Sequence, residues 1–154
     1  MQNTMDLGVD MGSAIASTIV ARFCDATIAN DVDTMMESLA PDAEFVSPLS
    51  GRMIFRGHDD LRVLLTAIFG GISELHWHTI TTNGSTAVAL ADARIGRIAF
   101  TDAMVVDLDP SGRIRRLTPH LRPWLALTRI ALAVGPALSR HPAIIRRALQ
   151  ARRH

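Results

Sequence analysis

The sequence contains no tyrosine, and all 16 of its basic residues are arginine. No phenol is therefore available to any site. The arginine bias fits GC-rich coding, although arginine also offers bidentate contacts that lysine cannot. The one cysteine, Cys24, excludes an intramolecular disulfide and cannot build a structural zinc site alone. Aromatic residues make up only 5% of the chain, and no nucleic-acid-binding aromatic platform stands out. Also missing are a phosphate-binding glycine loop, a nucleophile elbow and a paired-cysteine motif. Formal net charge is +1, which predicts neither nucleic-acid affinity nor steering of acidic substrates. The start, MQNTMDLGVDMGSAIAS, lacks a basic stretch followed by an apolar one, so it does not read as a secretory signal, and the expected location is cytoplasmic. No apolar run is long enough to span a membrane, and the one after Pro123 carries Arg129 inside it.

What is present describes one folded domain: 154 residues, 48% hydrophobic and 20% charged. Ile15, Ile19 and Phe23, then Met35, Met36 and Leu39, keep the helical period, with Asn30 and Asp31 turning the chain and Pro41 ending the second helix. Residues 43–47 switch to extended character. Gly57 and His58 precede a third helix from about Asp59 to Phe69, whose first-turn Asp59 and Asp60 suit the positive end of the helix dipole. Residues 74–82, 85–97, 98–108 and 113–121 read as strands, separated by Asn83-Gly84, a junction at Gly96 that is either a tight hairpin or a bulge, and Asp109-Pro110-Ser111-Gly112. Trp124 to Val134 reads as an apolar helix that Gly135-Pro136 interrupts before a last segment containing Ile144, Ile145 and Leu149. The division expected is a flexible lead-in over 1–13, a main domain over 14–122 and a helical extension over 123–154. Arg146, Arg147, Arg152 and Arg153 could touch an anionic membrane surface; a solvated helix end beside a favourable dipole is the preferred reading.

The polar turn before Asp31-Val32-Asp33, then APDAEFVSP (40–48), FRGHDDLRVLL (55–65) and VVDLDPSGRIRRL (105–117), together resemble the nuclear transport factor two-like superfamily. Its members include SnoaL-like polyketide cyclases, ketosteroid isomerases and limonene epoxide hydrolases. The resemblance covers roughly residues 14–124, and LTPHLRPWLAL (117–127) further resembles an actinobacterial SnoaL-like group. It implies an α+β cone, in which a curved antiparallel sheet wraps around three N-terminal helices and leaves a pocket, with the helical extension added.

Asp102 shares a strand face with Met104, Val106 and Leu108, and that apolar company suggests an inward carboxylate. The resemblance implies for it the role of the neutral carboxylic acid that donates to an oxyanion in ketosteroid isomerases. A strand-start carboxylate paired with arginine or facing water is the competing reading. The other isomerase positions do not carry over. Phe23 stands in place of the oxyanion tyrosine and Ser47 in place of the general-base aspartate, and neither can do that chemistry. Asp92 and Arg94 share a face and resemble part of the epoxide hydrolase site with the order reversed; an ordinary ion pair is the plainer explanation. The expected second aspartate is replaced by Pro119 or His120. His76 and His78 share a face with Ile80 on the simple alternation, so His78, Asp102 and His120 could converge as proton-handling groups. Alternatively, the histidine pair lines an outer or interface face with Trp77 pointing into the core. Two histidines and a carboxylate match metal-ligand types, but no metal is assigned.

Phe23, Met35, Leu39, Ser47, Phe69 and Met104 are the expected ligand-lining residues, with Met53 as a further candidate. The sequence points to a hydrophobic small molecule as ligand, cofactor-free acid/base chemistry on a polycyclic or terpenoid-like compound, and a homodimer through the open sheet face. A noncatalytic binding or assembly module is the rival, because the defining acid, base and tyrosine of the characterised relatives are mostly absent. The C-terminal helices could serve as a lid or a partner surface.

Overall fold

The computed structural model describes residues 4–151, with side chains over 11–151. Its elements run as α1 (Thr4–Ala29), α2 (Val32–Ser38), β1 (Leu39–Val46), β2 (Ile54–Arg56), α3 (His58–Gly71), β3 (Ile72–Asn83), β4 (Thr86–Ile95), β5 (Ile98–Leu108), β6 (Ile114–Thr118), β7 (Leu121–Arg122), α4 (Trp124–Ser139) and α5 (Pro142–Gln150). The α+β architecture expected from the sequence is present, as a curved seven-stranded sheet ordered β2-β1-β6-β5-β4-β3 with β7 beside β5. One detail differs: β1 runs parallel to β6, so the sheet is mixed. Four strands and α3 lie between the two in sequence, ample chain for the return that a parallel pair requires. The first three residues of the expected lead-in, and Arg152 and Arg153, lie outside the described residues.

Local chemistry sets the element ends. Asn30 takes φ 53° after α1, and the amides of Asn30 and Asp31 bond back to the carbonyls of Thr27 and Ala26, a Schellman close. Asp31 then caps α2, its carboxylate accepting from the Thr34 amide at 3.1 Å. The β3–β4 loop is Gly84-Ser85, one residue later than expected, because Asn83 already pairs with Thr86. Ile95 pairs with Ile98 across Gly96-Arg97, and Gly96 at φ 58° resolves that junction as a tight hairpin.

Three helical expectations are corrected. Helix α2 ends at Ser38, before Pro41, and Leu39 and Pro41 both belong to β1. The buried stripe of α1 runs through Ala16, Val20, Phe23, Cys24 and Thr27, whereas Ile15 is 54% exposed. The small Ala16 takes the inward position, and the helix phase follows the packed side rather than the largest side chain. Helix α4 is not interrupted at Gly135-Pro136 but continues to Ser139. Pro136 sits on its exposed side, where the carbonyl it leaves unbonded faces water, while Val134 and Leu138 on either side of it stay packed.

Candidate functional site

The inner face of the sheet and helices α3, α4 and α5 enclose a cavity of about 220 Å³. One water needs only about 10–15 Å³ on the same measure, so the space admits an organic molecule. Leu64, Ile68 and Phe69 of α3 form one wall, and Trp77, Phe100 and Met104 of the sheet form another. Ile130, Val134 and Leu138 of α4, with Ile145 of α5, make the cover. Residues 47–53 complete it through Ser47, Leu49 and Met53, and the exposure of Leu49 marks the rim.

Asp102 is the one ionisable side chain on this lining. It faces inward because β5 keeps unbroken register with β4 from Ile98 to Asp107, so Phe100, Asp102 and Met104 alternate onto the same side. One carboxylate oxygen accepts the His120 backbone N–H at 3.1 Å. Burial pushes the carboxyl from 3.8 up to about 6, opposed by that hydrogen bond and by the His120 charge. An acid in that range is populated in both protonation states near neutral pH.

The expected convergence with His78 and His120 does not occur. Register shifts in β3 fall between Ser73 and His76 and between Trp77 and Thr79. The second adds His78 as an unpaired residue, which turns Ile80 inward with Trp77 and leaves His76 and His78 exposed on the outer face. His78 lies 3.8 Å from Asp92 there. His120 touches Asp102 only through its backbone; its exposed ring nitrogen lies 3.1 Å from the Ala103 carbonyl. Asp92 and Arg94 do not pair. Both are on the outer face, and the guanidinium of Arg94 reaches Glu74 at 4.0 Å and the Arg97 carbonyl at 3.2 Å. Among the described residues no group of histidine, cysteine and carboxylate side chains is arranged to hold a metal ion.

Of the expected lining residues, Ser47, Met53, Phe69 and Met104 border the cavity. Phe23, Met35 and Leu39 do not: each is fully buried in the packed core, where α1 and α2 meet the sheet. Cys24 is no nucleophile either, since burial, then the charges of Asp25 and Asp102, push its thiol up to about 12. Trp77 is held in place by donating its indole N–H to Thr27 Oγ1 at 2.9 Å.

Sequence reasoning raised a lid only as one alternative for the C-terminal helices. The spacing of Ile130 and Val134 marked an apolar face on α4 but not what it would cover. Nothing marked the clamp that fastens α5. Asp60, 5% exposed at the start of α3, accepts from Arg147 Nε at 3.0 Å and from a second guanidinium nitrogen at 2.6 Å. The bond to Asp60 raises the Arg147 pKa further above its ordinary value.

The SnoaL-like domain family model matches residues 20–117. No curated protein is similar enough to the sequence to count as a match. Among solved structures, the chain resembles a bacterial protein with a cystatin-like fold from Silicibacter pomeroyi, at TM-score 0.77 and 18% identity over 84% of this chain and 93% of that one. It resembles a steroid delta-isomerase from Pseudomonas aeruginosa at TM-score 0.74 and 22% identity, covering 84% and 96% respectively. It also resembles an LEH-like epoxide hydrolase from M. tuberculosis at TM-score 0.59 and 23% identity, covering 82% and 96%. Identities at this level establish a shared fold and leave the chemistry to the site.

Proposed function

Taking as premise that the chain belongs to the SnoaL-like domain family, we propose that its cavity binds an uncharged, largely apolar small molecule, with a ligand oxygen at the Asp102 carboxyl. The observation that carries this is the pairing of one acid, raised to about 6, with a wall otherwise free of ionisable groups. An anionic ligand would have no countercharge there, whereas a polycyclic or terpenoid-like compound would bury its surface and need one polar partner. Asp102 would hand a proton to the ligand and take one back, which is cofactor-free isomerase, cyclase or hydrolase chemistry. Steroid isomerisation by the familiar three-residue mechanism is disfavoured, because Phe23 is core and Ser47 offers only a hydroxyl.

Asp102→Asn tests the reading: turnover of any responsive compound is lost while its binding persists. Retained turnover would refute Asp102 as the proton-handling group. A noncatalytic binding module is the second reading, favoured by the placement of both His78 and the His120 ring away from the cavity. Compounds that bind wild type and Asp102→Asn alike, with no conversion by either, would favour it.

We also propose a homodimer through the outer sheet face. Val88, Leu90, Ala103 and Val105 alternate with the buried inner-face residues and form a half-buried apolar band in register across β4 and β5. Such a band suits an isologous partner.

A further inference from the structure

The net charge of +1 conceals a strong segregation. Residues 1–109 hold all fifteen acids and six arginines, whereas residues 110–154 hold ten arginines and no acid. Arg116 and Arg147 are answered by Glu44 and Asp60. Among the described residues no carboxylate pairs with Arg129, Arg140 or Arg146, all exposed on or beside α4 and α5. The same two helices carry exposed apolar side chains. Leu125 and Leu132, at i and i+7, are 49% and 64% exposed on the face of α4 opposite its buried Ala126, Ile130 and Val134. Trp124 at the start of α4 is 69% exposed, and Leu149 of α5 is 54% exposed.

We propose that the outward side of α4 and α5 docks on an anionic lipid surface. Leu125, Leu132 and Trp124 would enter the boundary between headgroups and acyl chains, with Arg129, Arg140 and Arg146 at the phosphates. Charge complementarity selects this occupant over a second copy, because self-association here would set arginine against arginine with no acid in the segment to relieve it. The docking is peripheral: no described helix is long and apolar enough to cross a membrane. It would lay the cavity cover against the bilayer, where apolar compounds concentrate.

The test is co-sedimentation of the full chain with vesicles of phosphatidylcholine alone and of equal parts phosphatidylcholine and phosphatidylglycerol. Trp124 emission gives a second readout, since Trp77 is already packed. Binding to the anionic vesicles with a blue shift, reversed by salt, is the expected result. Arg129→Gln with Arg146→Gln should lower the partition coefficient about thirtyfold. Leu132→Glu should abolish the blue shift, and circular dichroism checks that each variant folds. Equal binding to both vesicle types, binding to neither, or sedimentation of the free protein as an oligomer that Leu132→Glu disperses would each overturn the proposal. The Gln pair changes only exposed polar side chains, so it decides the matter even if Leu132→Glu misfolds.

Discussion

Asp102→Asn should stabilise the protein at neutral pH and leave it unchanged in acid. The folded-state pKa of about 6 lies above the value of 3.8 that the unfolded chain retains. Between these values the folded protein holds the proton that the unfolded chain has released, so stability falls as pH rises through the window. Above pH 6 the cost is complete, and the gap corresponds to at most about 3 kcal/mol, less whatever water in the cavity recovers. Asparagine removes the charge, and its carbonyl can still accept the His120 N–H that the carboxylate now holds at 3.1 Å. Urea unfolding of both proteins at several pH values is the assay. The variant should gain up to about 3 kcal/mol at pH 7, and the difference should close below about pH 4. A variant less stable at pH 7, or a difference independent of pH, would show that Asp102 is neither desolvated nor a carrier of stored free energy.

Arg147→Ala should lower stability in the same assay, because it leaves the buried Asp60 carboxylate unanswered. The loss should stay below that of a fully buried pair because the guanidinium side is open to water; no change would mean that the clamp is ornamental. Light scattering at micromolar protein should return twice the chain mass, and Leu90→Glu in the outer sheet band should return the monomer mass. A wild-type monomer would remove the dimer.

Where local pattern decides geometry, the sequence was readable. The inward direction of Asp102 follows from alternation with Met104, Val106 and Leu108, and β5 adds no residue against β4 to spoil the count. The same reasoning failed for His78. Two irregularities in β3, one beside Glu74 at a positive φ of 51°, shift its phase, and no glycine marks either. Phe23, Met35 and Leu39 were misplaced for another reason. A core position and a cavity wall both call for apolar side chains, and only tertiary packing tells which volume is filled. The cover was legible as helix, and as a lid only beside the alternative of a partner surface, because apolar spacing does not say which surface it meets. Ion pairs such as Asp60 with Arg147, 87 positions apart, leave no periodic trace.

The acidity of Asp102 and the cover over it are one physical arrangement. A carboxylate rises to about 6 only where water is kept away, and α4 and α5 supply much of that exclusion by closing the cavity with Ile130, Val134, Leu138 and Ile145. The cover is in turn held at its far end by Arg147 on Asp60. Loosening the clamp therefore bears on proton affinity as well as on stability, because water admitted to the cavity would return Asp102 toward 3.8. The stability given up by holding the Asp102 carboxyl on an apolar wall is then the counterpart of the raised proton affinity that the proposed chemistry would use.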